Sequence, residues 1–367
     1  MRFFRSLLFL LLLLPMLPTA ISARAEVRQA ATDKLVLAYY YPWFDLNTWF
    51  PSIVSDMPTV KYVSADRNTI ARHISQARAS GIDAFISAWL GRGNQTDSNL
   101  AALLSLSQGT DFRASIVFET NSPFFGSQQA IVDGLRYVIT THGSSPNFLK
   151  FGGKPVIFFW SLKSVPTAPG QTPLQAWASI RQQVDPGKSA IWIAEGTDIS
   201  YQSVFDGHHL YSVAWSTDVN YTLNDWSKRI TNYNAQNGTS KLWVATVMPG
   251  YNDMGTGRSD AFIRSREDGG FYNATFTAAI NSQPDWIVIT SWNEWVEGTQ
   301  IEPSVSFGDK YLTLTKQFSD RYKASSMVPP PITASRGADY DLANGHFYTQ
   351  TGSGGRGFSV TNDAVAR

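Results

Sequence analysis

Cysteine is absent from this 367-residue sequence, and charged residues are scarce at 16%. The lack of cysteine excludes disulfide bonds, zinc–thiolate sites and cysteine nucleophiles. The net charge is only +1, so we expect no broad basic face that would attract nucleic acid. The five histidines are not spaced with carboxylates as metal ligands are, so neither a metal nor a cofactor is predicted.

Only one apolar run is long enough to suggest targeting, and it lies at the N-terminus. Arg2 and Arg5 precede an apolar stretch at 6–20, and Ala23-Arg24-Ala25 supplies an A-x-A cleavage pattern. The stretch is short for a bilayer and is interrupted by two prolines, which favours a cleaved signal peptide at 1–25 over a membrane anchor. We therefore expect a secreted or periplasmic monomer with no membrane contact after cleavage.

Eight short, almost continuous apolar runs follow in order, as is typical of strands buried on both faces of a parallel sheet. Patterns with helical periodicity lie between most of them, at 66–80, 99–106, 128–140, 173–184, 223–233, 271–280 and 307–322. This alternation predicts a closed (β/α)8 TIM barrel, with an open doubly wound sheet as the alternative. No G-x-G-x-x-G loop follows the first run, which weakens that alternative. The predicted strands are 35–41, 82–89, 114–119, 155–160, 190–195, 209–215, 242–247 and 286–291.

The barrel is predicted to occupy 26–327. Three consecutive prolines at 329–331 then begin a stiff linker. The rest of 328–367 is rich in Gly, Ser and Thr, and it fits either the start of a truncated C-terminal module or a disordered tail.

The chemistry of a barrel is expected where its strands end, because the active site forms at that face. The predicted ends carry aromatic residues and a few carboxylates, a combination suited to stacking on sugar rings and moving protons. They predict a glycan substrate. The strand-end residues are Tyr41, Trp89, Glu119, Trp160, Glu195, Trp215, Tyr251, Trp292, Asn293 and Trp295.

Glu294 and Glu297 follow the last predicted strand directly, three residues apart. Cleavage of a glycosidic bond needs one protonated and one ionised carboxyl group. Neighbouring carboxylates drive their pKa values apart, and adjacent tryptophans add desolvation. Solvated loop glutamates would be the structural alternative, but the position after the eighth strand favours catalysis by this pair.

At this point the sequence resembles glycoside hydrolase family 99, the endo-α-mannosidases, and its bacterial relatives. The segment 290–303 (TSWNEWVEGTQIEP) resembles the family's closing signature. Shorter segments match in order, including YYPWF at 40–44, VFE at 117–119, GKPV at 153–156, FDGHHLY at 205–211 and VMPGYND at 247–253. The resemblance spans about residues 35–323.

The resemblance implies a retaining, endo-acting and metal-free enzyme. Glu294 would act as base on the substrate's 2-hydroxyl, which displaces the leaving group to give a 1,2-anhydro sugar. Glu297 would protonate the departing oxygen and then activate water. Tyr40, from the opening motif, is expected to contact substrate, and the resemblance places Tyr41, Trp89, Glu119 and Tyr211 around the reacting sugar.

Two positions depart from the family pattern, since Phe44 and Val296 stand where it has tyrosine and histidine. These differences leave the substrate open between α-mannoside and related α-linked polysaccharides, including an α-1,3-glucan as in a family of similar fold. A barrel that binds glycan without cleaving it remains the alternative of a different class.

Overall fold

The computed structural model describes residues 34–325 and three short strands beyond them. The predicted signal peptide at 1–25 lies outside the described residues, as does most of the predicted linker and tail. Within 34–325, eight parallel strands close into a barrel in the order β3-β2-β1-β8-β7-β6-β5-β4, because β4 pairs back with β3. The strands are β1 Leu35–Tyr40, β2 Ala84–Trp89, β3 Arg113–Glu119, β4 Lys154–Trp160, β5 Ile191–Glu195, β6 Gly207–His209, β7 Leu242–Val247 and β8 Trp286–Ile289.

Helices cover the outside of the barrel and connect all but one pair of consecutive strands. The β5–β6 connection contains only the 3-10 turn Ile199–Ser203. The predicted (β/α)8 barrel is confirmed, and each predicted helical segment overlaps an observed helix. The helices are α1 Arg67–Ala79, α2 Gln95–Leu106, α3 Gln128–Tyr137, α4 Pro173–Val184, α5 Val219–Asn237, α6 Gly270–Asn281 and α7 Lys310–Ala324.

The sixth strand is shorter and earlier than predicted. It covers Gly207–His209, whereas the sequence predicted 209–215. The pairing of Gly207 with Ile193 and Leu242 fixes its start. Beyond it the chain turns, and Trp215 stands half-exposed with its indole N–H donated to Ser212 O at 2.8 Å. The apolar run therefore continues past the strand into a loop.

Alternate residues of each strand belong to two separate cores, because successive side chains of a strand point to opposite faces. In β1, Leu37 and Tyr39 belong to the core inside the barrel, whereas Ala38 and Tyr40 belong to the layer beneath the helices. The same alternation in the other strands decides which strand-end side chains reach the open mouth of the barrel.

Local sequence features mark the N-terminus of helix α4 and the C-terminus of helix α5. Helix α4 begins with a capping box, in which Thr172 accepts from the Gln175 backbone and the Gln175 side chain accepts from the Thr172 backbone. Helix α5 ends at Gly238, whose φ of +62° suits glycine at a helix C-terminus. Within 34–325, no helix is long and apolar enough to cross a membrane.

The C-terminal segment forms a separate unit, 326–367. Its described backbone is a small antiparallel sheet of Asp339–Asp341, His346–Tyr348 and Ser359–Val360.

Candidate active site

Four inward-pointing side chains stand at the ends of four strands, at the C-terminal mouth of the barrel. Tyr41 follows β1, Glu119 ends β3, Trp160 ends β4 and Glu195 ends β5. Each has the same parity as interior residues of its own strand, such as Tyr39 and Val117. The strand ends thus gather two carboxyl groups and two aromatic rings at one opening.

The loop after β8 is fastened to β1 by an asparagine. Asn293 Oδ1 accepts from the Tyr41 backbone N–H at 2.7 Å, and its Nδ2 donates to the Tyr41 carbonyl at 3.0 Å. The backbone N–H of Trp292 donates to Tyr39 O at 2.8 Å. Asn293 was predicted to contact substrate, but its side chain is fully buried, so its place here is structural. It fixes where Glu294 leaves the barrel.

A glycine permits the close return of this loop. Gly298 has φ of +61°, and a Cβ there would lie 3.0 Å from Asn252 Cβ and from Asn252 O. Because the two segments approach so closely, the Asn252 backbone N–H can donate a hydrogen bond to Glu297 O at 2.8 Å. This contact ties the Glu297 backbone to a hairpin after β7, in which Tyr251–Asn252 pairs with Ile263–Arg264 and which carries Arg258.

A chain of hydrogen bonds crosses the mouth and ends on Glu297. Tyr41 Oη and Tyr211 Oη are 2.8 Å apart, and Tyr211 donates to Glu297 Oε2 at 3.2 Å. Arg258 Nη1 donates to the other oxygen, Oε1, at 3.0 Å. Both oxygens of Glu297 therefore accept from a donor, and one donor is a cation.

Glu294 sits deeper in the mouth and in a different electrostatic environment. Its side chain is buried, and the Val296 backbone N–H donates to its Oε1 at 3.2 Å. Burial, followed by the charge of nearby Glu297, raises the pKa of Glu294 well above its ordinary value. Burial and Glu297 also raise the pKa of Glu119, to about 8. Glu119 is therefore mostly protonated at neutral pH, whereas Glu297 accepts hydrogen bonds from Arg258 and Tyr211.

Three tryptophans predicted to contact sugar lie in the core instead. Trp89, Trp292 and Trp295 have no exposed surface. Trp89 points beneath the helices, where its N–H donates to Asp97 at 2.9 Å. The Trp295 N–H donates to Tyr62 and to Glu302. A ring without exposed surface offers no face to a substrate, so these assignments were wrong.

Tyr40 is the fifth prediction that the structure corrects, after Asn293 and the three tryptophans. Its ring stacks on Phe85 at 4.6 Å between centroids, and its hydroxyl lies 3.2 Å from His73 Nδ1. Because β1 alternates, Tyr40 points outward when Tyr41 points inward. His73 in turn pairs with buried Glu302 at 2.7 Å, so Tyr40 belongs to a polar cluster that supports the loop after β8 from below.

Tyr251 lies at the mouth, as predicted, although little of it is exposed. Its ring stacks on Phe262 at 4.8 Å, and Arg258 Nη1 lies 3.5 Å from its hydroxyl. Burial raises its pKa, and the charge of Glu297 adds to the effect. Tyr251 therefore buttresses Arg258 beside the carboxylate pair.

A cavity of about 130 Å³ lies beside Tyr211 on the side away from β8. Its walls include Trp160, Glu195 and the half-exposed Trp215. Burial raises the pKa of Glu195 to about 7. Glu195 and Trp215 end predicted strands and so were visible in the sequence, whereas Arg258 lies in an irregular hairpin with no sequence signal.

No group of three or more His, Asp and Glu side chains within 34–325 is arranged to hold a metal ion. The groups that meet at the mouth are carboxyl, phenol and guanidinium groups. A (β/α)8 barrel with paired carboxylates at its mouth is the architecture of a glycoside hydrolase.

The sequence matches the model of glycosyl hydrolase family 99 over residues 48–324, and the chain belongs to that family. A mouse glycoprotein endo-alpha-1,2-mannosidase-like protein is 26% identical over 266 residues, covering 66% of this chain. The aligned part spans 56% of that relative, just over half its length. Rat glycoprotein endo-alpha-1,2-mannosidase is 24% identical, with 80% of this chain and 76% of the relative covered.

The fold also agrees with solved structures. The family 99 endo-alpha-mannosidase from Bacteroides thetaiotaomicron superposes with a TM-score of 0.66 at 23% identity, over 81% of this chain and 100% of that one. The same enzyme in complex with Bis-Tris propane gives 0.67 at 25% identity, over 80% and 98%.

Proposed function

We propose that this protein is a retaining, endo-acting glycoside hydrolase that cleaves α-mannosidic or closely related α-linked polysaccharides. The observation that carries the proposal is the placement of Glu294 and Glu297 on one loop, both facing the tyrosine pair Tyr41 and Tyr211. Membership of family 99 and the endo-mannosidase names of its relatives support the reaction class and the substrate.

In the proposed first step, Glu294 takes the proton of the substrate's 2-hydroxyl. The 2-oxygen attacks C1 while the C1–leaving-group bond breaks, and Glu297 gives its proton to the departing oxygen. The product is a 1,2-anhydro sugar. A 2-hydroxyl trans to the leaving bond is held in position by the ring itself, so no enzyme nucleophile is needed.

In the second step, Glu297 removes a proton from water as the water oxygen attacks C1. The C1–O2 bond of the anhydro sugar breaks, and Glu294 returns its proton to O2. Both carboxyl groups end as they began, and two displacements at C1 leave its configuration unchanged.

The remaining mouth residues would bind the sugars. Glu119, mostly protonated at neutral pH, can both donate to and accept from hydroxyl groups. Tyr41 and Tyr211 flank the reacting ring. Trp160 and Trp215 offer ring faces around the neighbouring cavity for a second pyranose.

Product analysis tests the proposal. The protein is incubated with defined α-mannan oligosaccharides and, in parallel, α-1,3-glucans, and the first-formed anomer is read by NMR. Internal cleavage of an α-mannoside with the α-anomer formed first is expected. Cleavage of α-1,3-glucan alone would overturn both the substrate and the mechanism, because the 2-hydroxyl of an α-glucoside is cis to the leaving bond. A first-formed β-anomer would overturn the mechanism, and binding without cleavage would show that the protein is not an enzyme for these glycans.

We further propose that the enzyme works as an exported monomer. The apolar run and the Ala23-Arg24-Ala25 pattern support export. Expression in a secreting host, with N-terminal sequencing and light scattering of the product, is expected to give a monomer that starts at Glu26. An intact N-terminus found in the membrane fraction would contradict it.

A further inference from the structure

Both carboxyl oxygens of Glu297 already accept hydrogen bonds in the free protein. A protonated carboxyl group must place its hydrogen on one of its two oxygens. Here Oε1 accepts from Arg258 at 3.0 Å and Oε2 accepts from Tyr211 at 3.2 Å. The arrangement is that of an acceptor-only carboxylate, the form stabilised by an adjacent guanidinium.

The exposed position of Arg258 allows its guanidinium to move away from Glu297. Its side chain is 52% exposed, whereas that of Glu297 is 15% exposed, so the guanidinium lies on the solvent side of the carboxylate. Ion pairs with an exposed partner are weak and easily exchanged. A sugar that reached Glu297 from solvent would meet the Arg258 guanidinium first.

A second carboxylate, that of Asp253, lies close to the Arg258 guanidinium. Asp253 Oδ2 lies 3.5 Å from Arg258 Nη1, and Asp253 is itself fixed because its Oδ1 accepts from the Phe262 backbone N–H at 2.8 Å. The Asp253 side chain is 4% exposed. Arg258 therefore has a second acceptor within reach if its contact with Glu297 breaks.

The charges around Glu297 make Arg258 decisive. Apart from Arg258, the titratable groups that face this part of the mouth are all carboxyl groups or phenols. They are Tyr41, Glu119, Tyr211, Tyr251, Asp253 and Glu294. Arg258 is the cation among them in the described residues. Removal of Arg258 leaves Glu297 among carboxyl groups and phenols with no cation hydrogen-bonded to it.

We propose that Arg258 is a positioning residue that holds Glu297 ionised and idle in the free protein. The incoming leaving-group sugar displaces the Arg258 guanidinium toward Asp253, and Glu297 then takes up from the solvent the proton that it donates to the departing oxygen. This inference rests on the proposed function, since it assumes that Glu297 is the acid.

The kinetic test compares Arg258→Gln, Arg258→Lys and Arg264→Gln with wild type, on whichever α-linked oligosaccharide the wild type cleaves. Arg264→Gln is the matched control, because Arg264 lies in the same hairpin but stacks on Phe271. The alkaline limb of kcat/KM is expected to move up by about half to one pH unit in Arg258→Gln and to stay in place in Arg258→Lys and in the control. An unmoved limb in Arg258→Gln overturns the proposal, and so does an equal shift in Arg264→Gln.

A structural test separates this inference from the proposed function. Crystals of the Glu294→Gln variant are solved free and soaked with an α-mannotetraose. We expect the oligosaccharide in the mouth, with Arg258 Nη1 moved from Glu297 to Asp253. An oligosaccharide bound in the mouth with Arg258 still on Glu297 overturns the inference alone. A mouth that binds no oligosaccharide at saturating concentration counts against the proposed function and, with it, against this inference.

Discussion

Tyr41 and Tyr211 lie 170 residues apart in the chain, yet their hydroxyl groups meet at 2.8 Å across the barrel mouth. Tyr41 is buried, Tyr211 is half-buried, and both face the carboxylate pair. Burial and the neighbouring glutamates raise the pKa of both phenols well above the ordinary value. Both phenols therefore stay protonated and able to donate. The pair connects the C-terminal end of β1 to Glu297, because Tyr211 contacts Tyr41 and donates a hydrogen bond to Glu297.

Tyr211→Phe is predicted to slow catalysis. It removes the donor to Glu297 Oε2, and hydrogen bonds to charged groups contribute about 1.5–3 kcal/mol, so kcat should fall by about 10- to 100-fold. Steady-state kinetics against Tyr233→Phe, on helix α5, provides the comparison. A variant that keeps wild-type kcat would show that the tyrosine chain is dispensable.

Adjacent tyrosines should give opposite phenotypes. Tyr40→Phe loses a buried hydrogen bond to His73 and should lower the free energy of unfolding by about 1 kcal/mol, with kcat unchanged. Tyr41→Phe should lower kcat with a smaller effect on stability. Urea unfolding and kinetics of both variants check this. If Tyr40→Phe loses more activity than Tyr41→Phe, the inward and outward faces of β1 have been reversed.

Glu119→Gln is predicted to stabilise the protein, but only above acidic pH. The folded pKa of Glu119 is raised from 4.5 to about 8, so its contribution to stability is full below about 4.5 and is lost as the pH rises through about 8. One pKa unit corresponds to about 1.4 kcal/mol, so the variant should gain a few kcal/mol over wild type at pH 8 and none at pH 4. Thermal unfolding at both pH values, with the exposed Glu267→Gln as control, measures it. A gain that is the same at both pH values would contradict the assigned shift.

Trp215→Ala should affect binding of long substrates alone. Trp215 is 49% exposed beside the cavity, so its loss should leave thermal stability unchanged. Loss of ring stacking worth about 0.5–1.5 kcal/mol should raise KM by about 2- to 10-fold for oligosaccharides long enough to reach the cavity, with kcat constant. An unchanged KM across substrate lengths would exclude this tryptophan from the binding surface.

The fold was accessible from the sequence because buried parallel strands and their helices leave a strong pattern of apolar runs. The position of Glu294 and Glu297 was accessible for the same reason, since they follow the last run directly. The errors at Tyr40 and Trp89 have one cause. A continuous apolar run hides which alternate residues face inward, and only the closed barrel places Tyr41 and Glu119 inside.

The rest of the site could not be predicted because it depends on contacts between distant segments. Arg258 reaches Glu297 only because the hairpin after β7 folds back over the loop after β8, an approach that Gly298 permits. Trp292 and Trp295 look like a sugar platform in the sequence, but the polar cluster of Tyr62 and Glu302 draws Trp295 into the core.

The most direct test of the central claim is the rate of Glu297→Gln on the oligosaccharide that wild type cleaves, with Glu267→Gln as the matched surface control. Loss of a general acid and base typically costs about 10²- to 10⁴-fold, and kcat should fall within that range while the control keeps the wild-type rate. A Glu297→Gln variant that is folded and turns over as fast as wild type would contradict the assignment.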